Sequence, residues 1–441
     1  MEHTEFIAAI DLGSSKITGV VGRKIGDSVV SILACQSEPS RNNIRRGLVF
    51  NIAEVGGTVK RIKTMLENAV HATINKVYVS LAGQSLHTVE HTVSKTLSAG
   101  DIVTEDIINQ LNESAGRHVH PDPSKRIFGI ADVEYVVDGR PEQNPIGITG
   151  SKVEGRFTMI AGRDNMLDTF SKSVREKTDM RVAGSLVGAL ATAAIALNEE
   201  EKMLGCALIN FGGGTTTVSV YKGGILHKMT VIPFGGKNIT NDICALNFSE
   251  EKAEEMKVKY GTAGDSRAKA KSLSTFVSPF SSKPKADFTE MNNAIKLRLD
   301  EIIANIDAQI KQSGYYEQLG AGLVITGGAS QLSNLDQYLA EKFNMPVRKA
   351  SAKSSFINNK PECVNDPALT QALGMLLLGT ENCALASAIE EPVEAPPTKK
   401  ADKKTDKKDG IKTKVGNMVG GLFDGLNNFF DESEERKKRE E

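Results

Sequence analysis

An α/β protein built from two related halves is what this 441-residue sequence predicts, on three observations. Up to about Gly379, short β-branched apolar runs alternate with stretches of helical period, the pattern of layered strands and helices. The segment Ile10-Asp11-Leu12-Gly13-Ser14-Ser15 is echoed about 200 residues later by Ile209-Asn210-Phe211-Gly212-Gly213-Gly214. Composition is that of an ordinary soluble globular chain, 40% hydrophobic and 25% charged, with room for two to four domains of roughly 100–200 residues. These figures exclude a fibrous, disordered or multi-span membrane protein. The 54 basic and 55 acidic residues nearly cancel, so no chain-wide field draws the protein to nucleic acid, and a charge-driven partner has to meet a local patch. Cys35, Cys206, Cys244, Cys363 and Cys383 are odd in number, scattered and never spaced as CxxC; they read as free thiols in a reducing compartment. The first apolar run ends at Asp11, too short for a signal segment, which speaks against secretion and transmembrane insertion.

Taken in chain order, residues 6–10 and 17–21 are apolar strands joined by the first glycine turn. Residues 86–93 and 130–137 alternate in polarity, 104–117 carry helical period, and 151–160 alternate again. Residues 206–209 and 217–221 repeat the opening strand pair around the second glycine turn. A third glycine turn, Thr326-Gly327-Gly328-Ala329-Ser330, follows the buried run Leu323-Val324-Ile325, and the polar Gln331 to Asn334 then lead into a helical pattern. Beyond Gly379 the character changes: Pro392, Pro396, Pro397 and a Lys/Asp run without apolar period make a tether that cannot bury enough surface to fold. Residues 411–430 regain helical period before a highly charged end.

Backbone N–H groups reach phosphate oxygens only where no side chain intervenes, which is why glycine and small hydroxyl residues suit such turns. In the first turn Gly13, Ser14 and Ser15 meet that need, Lys16 offers a point charge, and Asp11 a carboxylate aimed at a hydrated Mg²⁺. Gly212, Gly213, Gly214, Thr215 and Thr216 would close over a terminal phosphate from the opposite half. Alone, either loop also reads as a structural β-turn; the pairing at matched positions points to phosphate. The third turn, with Gly327, Gly328 and Ser330, is a place where a nucleotide could rest on helix N–H groups, or a plain strand-to-helix connection.

These three turns, with Ser185-Leu186-Val187-Gly188-Ala189-Leu190-Ala191 and Asp366-Pro367-Ala368-Leu369-Thr370-Gln371-Ala372-Leu373-Gly374, resemble the two phosphate, adenosine and two connecting segments of the actin-like ATPase superfamily. Within it, Lys76-Val77-Tyr78-Val79-Ser80-Leu81-Ala82-Gly83, Asn144-Pro145-Ile146-Gly147 and Ala253-Glu254-Glu255-Met256-Lys257-Val258-Lys259-Tyr260-Gly261 narrow the likeness to the FtsA family, bacterial cell-division proteins that link the FtsZ ring to the inner membrane. The resemblance implies an α/β, actin-like two-lobed fold with duplicated ribonuclease H-like cores. Residues 1–83 and 164–200 would form the first core, 84–163 an FtsA-type insert, and 201–240 with 309–380 the second core. Residues 241–308 would be a small subdomain holding the FtsZ C-terminal peptide, followed by a linker (381–410), a membrane-targeting helix (411–430) and a charged tail (431–441). It also implies ATP and Mg²⁺ as ligands, Glu254 and Lys257 near the base and ribose, and Gly236 and Asp242 bordering the site. Asn210 stands where the superfamily has an aspartate, and Val187, Gly188 and Ala189 stand where hydrolytic relatives present Gln or Glu to the attacking water. ATP binding with at most weak ATPase activity is therefore expected.

Projected at about 100° per residue, Ile411, Val415, Met418, Val419, Leu422, Phe423, Leu426, Phe429 and Phe430 share one arc of residues 411–430, with Asn417, Asp424, Asn427 and Asn428 opposite. The polar face and four glycines exclude a membrane span and point to a helix lying in the lipid interface; packing back on its own domain or on another protein is the alternative. His118 with His120, and His87 with His91, mimic metal spacings but lack a third ligand at a fixed interval. No Gly-x-Ser-x-Gly, His-Glu-x-x-His or Walker A segment occurs, and the lysines near residue 404 lack the aromatic-bearing fold of a nucleic-acid binder. The resulting expectation is a self-polymerising ATP-binding scaffold that tethers FtsZ filaments to the cytoplasmic face of the inner membrane at the septum and recruits later division proteins. A small-molecule kinase of the same superfamily, and an actin-like adaptor of pilus or secretion machinery, are the rivals.

Overall fold

The structure is a computed structural model that describes residues 5–25, 29–98, 100–264, 288–352 and 360–385. The expected membrane helix (411–430), the charged tail (431–441) and residues 386–410 of the expected linker lie outside the described residues.

The chain opens with β1 (Ile7–Leu12), β2 (Lys16–Ile25) and β3 (Val29–Pro39), paired antiparallel in succession. A short ladder, β4 (Ile44–Arg45) with β5 (Leu48–Val49), leads to α1 (Ile52–Val70), whose first turn is capped by Asn51 accepting the Glu54 N–H at 3.1 Å. Val55, Val59, Ile62 and Leu66 recur at helical spacing, and that stripe is buried against the sheet. After β6 (Lys76–Leu81) comes the insert: β7 (His87–Thr96), α2 (Glu105–Gly116), β8 (Lys125–Val137), β9 (Arg140–Glu142) and β10 (Lys152–Arg163). Thr104 caps α2, and Ile108, Leu111 and Ala115 pack on Tyr135, Val137, Val153, Phe157 and Met159. The chain then returns through α3 (Met166–Arg175), β11 (Arg181–Val187) and α4 (Gly188–Ala196).

The second half runs α5 (Glu199–Leu204), β12 (Cys206–Phe211), β13 (Thr216–Lys222), β14 (Ile225–Ile232), α6 (Gly236–Cys244), α7 (Glu250–Tyr260) and α8 (Phe288–Gln312). It ends with β15 (Gly322–Thr326), α9 (Leu335–Phe343), β16 (Val347–Lys349), α10 (Pro361–Val364) and α11 (Thr370–Leu378).

The repeat seen in the sequence is a repeat of wiring. Strand order β11-β6-β1-β2-β3 in one sheet is matched by β16-β15-β12-β13-β14 in the other, parallel on one side of the opening strand and antiparallel on the other. Register matches too: Leu12 faces Ile17 across the first turn, and Phe211 faces Thr216 across the second. The two glycine turns therefore occupy equivalent places in the two halves.

Three features were not legible. The insert leaves and rejoins the first half by chain, yet its sheet, β7-β10-β8-β9, extends the second half's sheet through β14. Thr230 pairs with His87, and Thr88 Oγ1 accepts the Met229 N–H at 3.0 Å, so the open edge of β14 finds partners there. The helices α4 and α11, apolar almost all round, cross one another, and α11 also packs on β1 and β2. Residues 381–385, assigned to the linker on composition, are docked on the first sheet. The Tyr78 hydroxyl accepts the N–H groups of Thr380 and Glu381 at 3.0 Å each, and Lys76 pairs with Glu381 at 2.6 Å. Cys383 is fully buried and donates its N–H to the Phe6 carbonyl at 2.8 Å. A lone tyrosine hydroxyl and a sheet edge hold this strap, and neither leaves a trace in composition.

Candidate functional site

A cleft of about 930 Å³ opens between the two halves, walled by the ends of β1 and β12 and by the three glycine turns. Asp11, Gly13, Ser14, Ser15, Lys16, Asn210, Gly212, Gly213, Gly214, Thr215, Gly236, Glu254, Lys257, Gly327 and Gly328 all line it. A larger cavity, about 1590 Å³, lies between the insert and the second half, but no glycine turn of the three reaches it.

The two phosphate-type turns meet across the cleft. A Cβ on Gly214 would stand 2.7 Å from Ser14 Oγ and 3.2 Å from the Arg46 backbone nitrogen, and one on Gly213 would overlap Ser15 Oγ. Ser14 cannot yield, because its hydroxyl accepts the Gly47 N–H at 2.9 Å and its carbonyl accepts the Ser40 hydroxyl at 2.5 Å. On the other side, the Gly212 and Gly213 carbonyls accept the N–H groups of Gly236 and Lys237 at 3.0 and 2.7 Å, which fixes the turn to the start of α6. These cradles exist only because side chains are absent, which fits an oxyanion ligand gripped by backbone.

Charge is placed sparingly. Lys16 Nζ lies 3.6 Å from Asp366 Oδ2. Lys257 Nζ donates to the Gly236 carbonyl, to Thr240 Oγ1 and to Glu254 Oε2 at 3.1, 2.9 and 2.7 Å, so the pair stands as a braced wall of the cleft. Lys237 reaches the first half, donating to Asn42 Oδ1 at 2.8 Å, and burial lowers its pKa. Among the described residues no cluster of three or more His, Cys, Asp or Glu side chains could hold a metal ion directly. A Mg²⁺ arriving with a polyphosphate keeps most of its waters, so a single carboxylate such as that of Asp11 could serve it. The set-aside histidines His91 and His118 stack at 3.8 Å.

Asp11 Oδ1 accepts both the Ser80 hydroxyl at 2.6 Å and the Gln371 carboxamide N–H at 2.7 Å. Burial nevertheless pushes its pKa above 3.8, against the opposing pull of Ser80, Gln371 and Lys16. Below pH 3.8 the carboxyl is protonated in both folded and unfolded chains, and it costs nothing. As pH rises to the raised folded value, the unfolded chain releases its proton first, so stability falls and the penalty is fully present above that value. Asp11→Asn keeps both bonds, since both fall on Oδ1, and removes the desolvated charge. Its thermal midpoint without ligand is expected to exceed the parent's at pH 7, with the gap closing as pH falls toward 4. Thermal unfolding across that range checks it.

Three expected site residues are elsewhere. Thr216 is fully buried and donates to the Phe234 carbonyl at 2.9 Å, because its register on β13 turns it into the core. Asp242 is held by Arg298 of α8 through two bonds of 2.6 and 2.9 Å, so its charge serves helix packing. Ser330 is buried and donates back to the Gly327 carbonyl at 2.7 Å. The third turn enters a 3₁₀ turn, Gly328–Gln331, and α9 starts only at Leu335, so no α-helix N-terminus opens directly on the cleft there. Gly327 sits at φ 91°, and any Cβ would press on Asn210 and Phe211. Conversely, Gln371 and Lys237 line the cleft without having been singled out. For Gln371 a signal existed: with Thr370, it is one of two polar side chains in the run from Pro367 to Leu378.

Comparison with known proteins agrees with this architecture. Residues 83–161 match the SHS2 domain inserted in FTSA, and residues 207–374 match the family Cell division protein FtsA. Among solved structures, the PilM-PilN type IV pilus biogenesis complex superposes with a TM-score of 0.56 at 16% identity, over 85% of this chain and 98% of that one. The MamK double helical filament does so at 0.50 and 11%, again over 85% and 98%. The fold is the actin-like one. A cell division protein FtsA from Porphyromonas gingivalis is 35% identical over 332 residues, covering 74% of this chain and 68% of the relative. With duplicated cores, an SHS2 insert and this level of identity, the chain belongs to the FtsA family of cell-division proteins.

Proposed function

We propose that this chain is an ATP-binding division scaffold that assembles end to end and fastens FtsZ filaments to the cytoplasmic face of the inner membrane at the septum. The observation that carries the reading is the meeting of two equivalent glycine turns across one cleft, Gly213 and Gly214 against Ser15 and Ser14. In it, Gly13 to Lys16 and Gly212 to Thr215 hold the phosphates, Asp11 takes Mg²⁺ through water, and Gly327 and Gly328 border the adenosine beside Glu254 and Lys257. ATP supplies a polyanion that both halves grip at once, so binding favours the closed form. Closure would present the matching ends of successive copies, and the filament named for MamK supports such assembly in this fold.

The remaining parts of the reading rest on the family and on the sequence. Region 241–308, of which α6, α7 and part of α8 are described, would take the FtsZ C-terminal peptide, and later division proteins would join the assembly. The strap at 379–385 meets the start of β1, whereas Asp11 at its other end faces the cleft. At about 3.3 Å per strand residue those ends are about 17 Å apart, so Leu385, the last described residue, lies at the end of the sheet away from the cleft. Nine apolar side chains of 411–430 would release on the order of 10 kcal/mol gross on entering lipid, most of it offset by ordering. Single anchors would hold weakly; an assembled row would hold by avidity.

Liposome co-sedimentation of the full chain and of a chain lacking residues 411–430, each with and without Mg²⁺-ATP, tests this. The full chain is expected to pellet, about tenfold more strongly with ATP, and the shortened chain to stay in the supernatant. Unchanged pelleting after the deletion would refute lipid anchoring by this segment.

A further inference from the structure

Phosphoryl transfer to water needs a group that orients the water for in-line attack. Gly188 and Ala189, at the start of α4, carry no polar side chain, and Ala189 lines the cleft. The space above Gly188 is nonetheless filled. A Cβ there would lie 2.6 Å from Gln371 Cδ, 2.7 Å from its Oε1 and 2.8 Å from its Nε2. Gln371 is carried in from α11, at the far end of the chain. Its Nε2 donates to Asp11 at 2.7 Å, and its Oε1 accepts the Asn210 amide at 3.4 Å, so one carboxamide spans the two equivalent strand ends. The neutral Asn210 matters: an aspartate there would set a carboxylate against the Gln371 carbonyl oxygen.

We infer that Gln371 is the water-positioning residue of this cleft, its carboxamide oxygen holding the attacking water while its N–H holds the Asp11 carboxylate. The inference rests on ATP as the ligand of the cleft. Water oxygen bonds to the terminal phosphorus, the bridging P–O bond breaks with its electron pair leaving on ADP, and the water proton passes to a phosphate oxygen. Gln371 gains and loses no atom; it aligns the water by hydrogen bonding alone, which suits slow turnover without a general base.

The test uses full-length chain, Mg²⁺-ATP and single-turnover phosphate release with protein in excess, alongside ATP Kd by competition against a fluorescent analogue. Gln371→Ala is expected to bind ATP within about threefold of the parent and to release phosphate at least about tenfold more slowly. Gly188→Ala, which displaces the carboxamide but leaves Gln371 in the chain, is expected to slow release likewise and serves if the first variant folds poorly. Gln371→Glu is expected to recover part of the rate at pH 5 and lose it toward pH 8. Once ionised, its carboxylate repels Asp11 and the phosphate; a rate that falls while the ATP Kd measured in parallel holds is a split that a merely structural role would not produce. Release by Gln371→Ala at the parental rate, no release by ATP-loaded parent, or a Gln371→Glu rate that does not fall with pH overturns the inference and leaves ATP binding standing. Failure of the parent to bind ATP overturns both.

Discussion

Gly214→Val is expected to abolish ATP binding, weakening it by at least about 100-fold, or about 2.7 kcal/mol, while leaving both halves folded. The new side chain would drive into Ser14, whose hydroxyl is pinned by the Gly47 N–H and whose carbonyl is pinned by Ser40. Ser14 cannot rotate away without orphaning a buried N–H, which costs about 1–3 kcal/mol. Each turn is braced within its own half, the second through Gly236 and Lys237. The cheapest relief is therefore a rigid opening of the cleft, which separates the two glycine turns proposed to hold phosphate and leaves the sheets intact. Fluorescent-nucleotide competition reads the loss, and circular dichroism melting should show a midpoint near the parent's without nucleotide and no rise with it. Parental affinity in this variant would mean that the turns do not act as a pair.

Gly374→Ala is expected to destabilise the fold by about 2–3 kcal/mol, although alanine is the better helix former by about 1 kcal/mol. Gly374 lies within α11 where that helix crosses α4. Its Cβ would overlap the Ala191 carbonyl oxygen and stand 2.5 Å from the Ala191 carbonyl carbon. Backbone cannot rotate out of the way, so the two helices must part in a dry core, and dispersion contacts along the crossing are lost together. Gly116→Ala is the control. It is also helical, at the end of α2, but nothing lies within 4 Å of the added methyl, so it should be neutral or slightly stabilising. Urea midpoints of the two variants against the parent check the pair; equal midpoints would contradict a tight α4–α11 crossing. Because α11 also carries Gln371, Gly374→Ala should impair phosphate release beyond what its stability loss accounts for.

What could be read beforehand follows from the range of the interactions involved. The strand pairs around Gly13 and Gly212 were legible because period-two apolar runs and glycine turns are local patterns. The helical period of 104–117 was legible for the same reason, although its first residue, Thr104, caps α2 from outside the helix. Asp11, Lys16 and Asn210 could be placed at the cleft because each sits at a fixed offset from a glycine turn. Thr216 and Asp242 were misread. Thr216 differs from its strand neighbour Thr217, which lines the cleft, in which side of β13 it faces, and Asp242 is claimed by Arg298, a residue 56 positions away. Gln371 does not stand out within the connecting segment Asp366 to Gly374, because its partner Asp11 lies 360 positions away.

By itself the sequence determined the α/β class, the duplicated halves, the three glycine turns and the amphipathic pattern at 411–430, all of which depend on residues near one another along the chain. Only the tertiary structure decided that the insert extends the second half's sheet, that residues 381–385 belong to the first sheet, and that Gln371 reaches across to Asp11. Each of those outcomes depends on which unpaired edge, hydroxyl or empty space another part of the chain happens to reach, 141 residues away for Met229 and Thr88 and 360 for Gln371 and Asp11. Local pattern carries no record of such distant partners; close packing, which admits a side chain only where a glycine has left room, selects them.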